Sequence, residues 1–140
     1  MPETGEPDDR WEYTLSVPND PRAVTICRRA LRLILALHGL PHLAEVAELV
    51  ATELVTNAVQ HTKSPAAIRL RWARGVLRIG VWDADPTPPA PAPPGALCES
   101  GRGLALVQGC VDDWGWYRLG GSQAPESAGK FIWCELATAA

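Results

Sequence analysis

Glu53-Leu54-Val55-Thr56-Asn57-Ala58-Val59-Gln60-His61 sets three polar side chains four residues apart, and its reading decides the fold. On a helix advancing about 100° per residue, Leu43, Val46, Ala47, Val50, Leu54 and Ala58 form one apolar stripe. Asn57 and His61 fall inside that stripe, and Glu53 lies at its edge. An unpaired amide or carboxylate there would cost about 1–3 kcal/mol. Each therefore needs a partner, either another protein group or a bound polar ligand with its metal ion. Any one of them alone is more simply a side chain that caps a loop or faces a neighbouring element. The repeat at helical spacing shifts the balance towards a shared site.

Around this helix, expected over about His42 to His61, the punctuation is clear. Asp20-Pro21 offers an N-cap and a proline suited to a first helical turn, and Val24, Cys27, Leu31, Ile34 and Leu35 continue with helical spacing until Gly39 and Pro41. Upstream, Trp11, Tyr13, Leu15 and Val17 alternate as a strand does. Downstream of Pro65, Ile68, Leu70 and Trp72 alternate with Arg69 and Arg71, and Arg74-Gly75 turns the chain into Val76 to Asp83. Along this second strand Leu77, Ile79 and Val81 share a face, and the two-residue period puts Asp83 on it too. A carboxylate thus ends a buried row. Trp114 to Leu119 and Lys130 to Leu136 read as a closing hairpin around the polar loop from Gly120 to Gly129, giving about five strands.

Pro86 to Gly95 is too proline-rich for helix or central strand and is expected to be a loop, a lid or a stiff spacer. After it, Gly101-Arg102-Gly103 precedes Leu104, Ala105, Leu106 and Val107, as if a glycine pair opened a short helix whose free amides meet an anion. Too few apolar residues follow the proline segment for a second core, so 140 residues are read as one domain over 11–140 with a mobile acidic tail over 1–10. A net charge of −3 argues against a general nucleic-acid binder. The sequence has no apolar run long enough to span a bilayer, and its N-terminus lacks the basic and apolar regions of a signal peptide, so a cytoplasmic location is expected. Cys27, Cys98, Cys110 and Cys134 make no Cys-x-x-Cys pair and are read as free thiols.

Three motifs in this order resemble those of the GHKL ATPases, the histidine kinase-like ATPase domains of the Bergerat fold. Glu53 to His61 is similar to the N box, Val81-Trp82-Asp83 to the first glycine box, and Gly101-Arg102-Gly103-Leu104 to the second. The resemblance covers about Trp11 to Leu136. Among these ATPases the chain most resembles the stand-alone bacterial anti-sigma factor serine/threonine kinases. It implies an α+β two-layer sandwich, with a mixed, mostly antiparallel sheet of about five strands against three helices.

The same resemblance implies the roles. ATP and Mg²⁺ are the implied cofactors. Asn57 would coordinate Mg²⁺ and Glu53 would act as general base, against the alternatives of a core amide and an interhelical salt bridge. Asp83 would accept from the adenine amino group, rather than merely initiate a turn. Gly101 and Gly103 would let backbone close on the phosphates with Leu104 opening the helix, and Arg102 would reach a phosphate or project into solvent. His61 stays open between phosphate contact and a favourable helix end. The proline-rich stretch, about 84–100, would be the ATP lid. Arg22, Arg28, Arg29 and Arg32 give the first helix a basic flank that would meet a protein antagonist and a sigma factor, or would be a solvated face; a homodimer is among the states such kinases adopt.

The implied activity is transfer of the ATP γ-phosphate to Ser or Thr of the antagonist. Its rivals are a catalytically weak or inactive binding module of the same fold and a slow ATPase without a protein substrate. Two departures bear on the choice: Asp83 is followed by Ala84-Asp85-Pro86 instead of x-Gly, and Phe131 stands where a small hydroxyl residue is common near the adenine-contacting aspartate. They lead us to expect ATP binding to survive more readily than efficient phosphoryl transfer.

Overall fold

The computed structural model describes residues 10–61, 65–84, 111–119 and 129–137. The chain runs β1 (Trp11–Val17), α1 (Arg22–Leu37), a 3₁₀ turn (Pro41–Leu43), α2 (Ala44–His61), β2 (Ala66–Ala73), β3 (Val76–Asp83), β4 (Asp113–Leu119) and β5 (Gly129–Ala137). Five strands form one sheet in the order β1-β2-β3-β5-β4, and all four pairings are antiparallel. The two helices pack together, with α2 lying against β2, β3 and β5. This is the expected α+β sandwich. The expected third helix, opening at Gly103-Leu104, and the lid lie outside the described residues.

Local chemistry accounts for the boundaries. Asp20 accepts the backbone N–H of Arg22 through Oδ1 at 2.9 Å and its guanidinium through Oδ2 at 2.7 Å, so the carboxylate satisfies a donor that the first turn of α1 would leave unpaired. At the other end Gly39 takes φ 77°, Leu40 N–H donates to Leu35 O at 2.7 Å, and Gly39 N–H donates to Ala36 O at 3.2 Å. That pair of bonds is a Schellman motif. Leu35 and Leu40, both buried, supply its apolar contact. The second helix begins at Ala44, two residues later than expected, because Pro41 to Leu43 first make a 3₁₀ turn. Arg74 and Gly75 have φ of 55° and 77°, the two positive values that a tight hairpin turn matching strand twist requires.

One face of the sheet and the inner sides of both helices make the core. Leu31 and Leu35 of α1, Leu54 of α2, Ile68 and Leu70 of β2, and Leu77 and Ile79 of β3 are fully buried, each contributing about 1.5–3 kcal/mol of apolar transfer. The row Leu77, Ile79, Val81, Asp83 does point inward, and Asp83 is 3% exposed. Opposite it, β5 places Lys130, Ile132, Cys134 and Leu136 on the same face through the register Asp83↔Lys130, Val81↔Ile132, Ile79↔Cys134 and Leu77↔Leu136.

On the outer face aromatic rings cover glycines. A Cβ on Gly80 would lie 2.1 Å from Cζ of Phe131, and one on Gly115 would lie 2.6 Å from Cζ2 of Trp133. Arg78 stacks on the Trp133 ring at 4.3 Å and donates to Glu135 at 2.7 Å. Phe131 therefore sits on the face away from Asp83. The residue near the aspartate is not Phe131, as the sequence reading has it, but Lys130, one residue earlier, which strand alternation places across from Asp83.

Candidate functional site

Helix α2 presents Glu53, Asn57 and His61 on successive turns near its C-terminal end. Leu54, Val55 and Ala58 between them are buried, and α2 packs on β2, β3 and β5. Glu53 and Asn57 are partly buried. The Oδ1 of Asn57 is itself buried and has no hydrogen-bond partner among the described residues. Buried side-chain oxygens are almost always paired, so an orphan in a well-packed helix calls for an explanation. His61 is the last residue of α2, and its side chain lies outside the description, as do Gly101, Arg102, Gly103, Leu104 and Asp85.

On the sheet side, Asp83 ends the inward row of β3. Its Oδ1 accepts from Nζ of Lys130 at 3.0 Å, and the two residues are 3% and 6% exposed. Gly129 permits this approach, because a Cβ there would lie 2.3 Å from the backbone oxygen of Asp83 and 3.1 Å from Nε1 of Trp82. The first residue of β5 thus closes on the end of β3, and Lys130 comes to rest beside the carboxylate. Sequence reading overlooked Lys130. Its signal was present all the same: counting by twos back from Leu136, Cys134 and Ile132 puts residue 130 on the buried face.

A hard cation suits the α2 end of this site. Mg²⁺ takes oxygen ligands and is commonly bound by one or two side chains together with waters and substrate phosphates, without a dedicated protein cage. Among the described residues no group of three or more His, Cys, Asp or Glu side chains gathers as such a cage. One orphaned amide oxygen fits the sparser arrangement. Among the described residues the two cysteines are buried free thiols: burial raises the Cys27 thiol and pushes Cys134 up to about 12.

Residues 17–124 match the histidine kinase-like ATPase domain. The chain belongs to that family. It is also 40% identical over 78 residues to an uncharacterized protein of Streptomyces coelicolor, an alignment that takes in 52% of this chain and 74% of that protein. As a histidine kinase-like ATPase domain the chain is of an ATP-binding, ATP-using class. Among the described residues no helix of this ATPase domain is long and apolar enough to cross a membrane.

The basic flank expected on α1 is largely spent within the fold. Arg22 pairs with Asp20, and Arg28 and Arg32 pair with Glu48 of α2, the former at 3.9 Å. Arg29 is exposed and makes no ion pair among the described residues. Around it Ile26, Leu33 and Leu37 are exposed at 65%, 59% and 76%. These four lie within about 80° of one another on the helical wheel.

Proposed function

We propose that this chain is a regulatory kinase of the anti-sigma factor type, which binds ATP with Mg²⁺ and transfers the γ-phosphate to a serine or threonine of a partner protein. The observation that carries the reading is the buried Oδ1 of Asn57, without a partner among the described residues, a group whose desolvation is offset when a cation meets it. Asn57 would hold the ion, which when bound neutralises phosphate charge. Glu53, one turn away on the same side of α2, would orient the attacking hydroxyl and accept its proton. Asp83 would accept from the exocyclic amine of adenine, which reads the base at the far end of the site. Gly101 to Leu104 would supply phosphate-facing amides, and the proline-rich segment would serve as the lid.

Partner recognition would fall to α1. The exposed stripe Ile26, Leu33 and Leu37 with Arg29, which makes no ion pair among the described residues, fits a protein contact better than a solvated basic face does, because the other arginines of α1 have partners. The same stripe also supports a second reading, an association module that works with little or no catalysis. A phosphotransfer assay with candidate antagonist proteins separates the two. The wild type should label Ser or Thr, and Glu53→Gln should still bind ATP yet transfer at least 100-fold more slowly. Equal transfer by the variant would sink the base assignment, and no transfer by the wild type to any antagonist it binds would favour the association module.

A further inference from the structure

We infer that Lys130 is a second base-reading group of the nucleotide site, its ammonium donating to the ring nitrogen N1 of adenine while Asp83 accepts from the neighbouring amino group. The inference rests on the reading of Asp83 as the adenine contact and goes beyond it. Lys130 and Asp83 are cross-strand partners at the ends of β5 and β3, on the inward face, with Nζ and Oδ1 3.0 Å apart. Every other residue in the two rows they end is apolar: Leu77, Ile79 and Val81 on β3, and Ile132, Cys134 and Leu136 on β5.

A buried ion pair is a poor device for stability alone. Its desolvation cancels much of the Coulomb gain, and an apolar pair of similar volume often does as well or better. What such a pair offers that an apolar pair does not is a fixed donor beside a fixed acceptor. The adenine edge is the complement, an N–H donor at the exocyclic amine next to an acceptor at N1. Guanine reverses both, with a carbonyl oxygen and an N1–H. With the carboxylate opposite the amino position, a guanine oxygen would face a negative charge. The Asp83–Lys130 pair therefore reads two adjacent edge atoms where the aspartate alone would read one, and Gly129 is the residue whose missing side chain allows the two strands to hold it.

Calorimetric titration with Mg²⁺ present, comparing ATP with 1-deaza-ATP, which lacks only the N1 acceptor, tests this on the full chain. The wild type should bind 1-deaza-ATP tenfold to a hundredfold more weakly, the usual worth of a hydrogen bond to a charged group. Lys130→Met should bind ATP more weakly by a similar factor and no longer distinguish the two nucleotides. Lys130→Arg, which keeps a cationic donor, should restore part of the discrimination. Equal binding of both nucleotides by the wild type would overturn the inference even if Lys130→Met fails to fold, and so would discrimination retained in a folded Lys130→Met. If ATP itself does not bind the wild type, the nucleotide reading falls and takes this one with it. If ATP binds with the Asn57 dependence given below and N1 is ignored, only the Lys130 assignment is lost.

Discussion

Replacing Asn57 with leucine should make the nucleotide-free domain more stable while abolishing the Mg²⁺-dependent part of its response to ATP. The orphaned Oδ1 is the reason. A buried carbonyl without a partner costs about 1–3 kcal/mol, and leucine is the better helix former than asparagine by about 0.5 kcal/mol. Against this, Asn57 is only partly buried, so some of the new apolar surface meets water. A net gain of about 1 kcal/mol is the conservative expectation. For 140 residues an unfolding entropy of about 2.1 cal/mol/K per residue turns it into a rise of about 3 °C in Tm.

Calorimetric melts of both proteins, with and without saturating Mg²⁺ and ATP, give the test. Ligand at 100 times Kd should stabilise the wild type by about 2.7 kcal/mol, more than reversing the order of the two melts, and should shift the variant by no more than its weaker, metal-independent binding of ATP allows. A nucleotide-free variant that is less stable than the wild type by 1 kcal/mol or more would refute the reasoning. So would an equal ligand shift in both.

Two other outcomes follow from the sheet. Gly80→Ala should cost about 1–3 kcal/mol, because its Cβ would lie 2.1 Å from the Phe131 ring; in a Phe131→Leu background the cost should largely vanish, which a urea double-mutant cycle would measure. Burial pushes the Cys134 thiol up to about 12 from its ordinary 9.0, so the unfolded chain loses this proton first as pH rises. The native state is then favoured fully below pH 9 and progressively less between 9.0 and about 12, by at most about 1.4 kcal/mol per pH unit. Cys134→Ala should flatten that part of the stability profile, and a slope unchanged from wild type would show that the thiol does not contribute.

Where local chemistry decides an element, the sequence was enough to read it. Gly39 in its positive-φ cap, the Arg74-Gly75 turn and the row Leu77, Ile79, Val81, Asp83 follow from steric rules and the two-residue period, which act within a few neighbours. Asn57 stood out for a similar reason, as an amide on an apolar stripe. Lys130 did not, because a lysine reads as solvent-facing by its type; the two-residue period counted back from Leu136 turns it inward, but its meeting with Asp83 needs the register with β3. That register depends on a pairing between residues 47 positions apart. The pairing of Arg28 and Arg32 with Glu48 was hidden likewise, since it joins two helices whose relative rotation is set by the core. Phe131 was read as the residue near Asp83, whereas the register puts Lys130 there, one residue earlier, and turns Phe131 to the other face.

The central claim is that Asn57 on α2 meets a nucleotide-bound cation. Titration of ATP into the wild type and Asn57→Ala by calorimetry, with Mg²⁺ and then with the metal chelated, tests it most directly. The wild type should bind more tightly with Mg²⁺ than without it, and Asn57→Ala should retain only the weaker, metal-independent binding. An Asn57→Ala protein that keeps the full Mg²⁺ enhancement would contradict the account, as would a folded wild type that shows no heat with millimolar ATP.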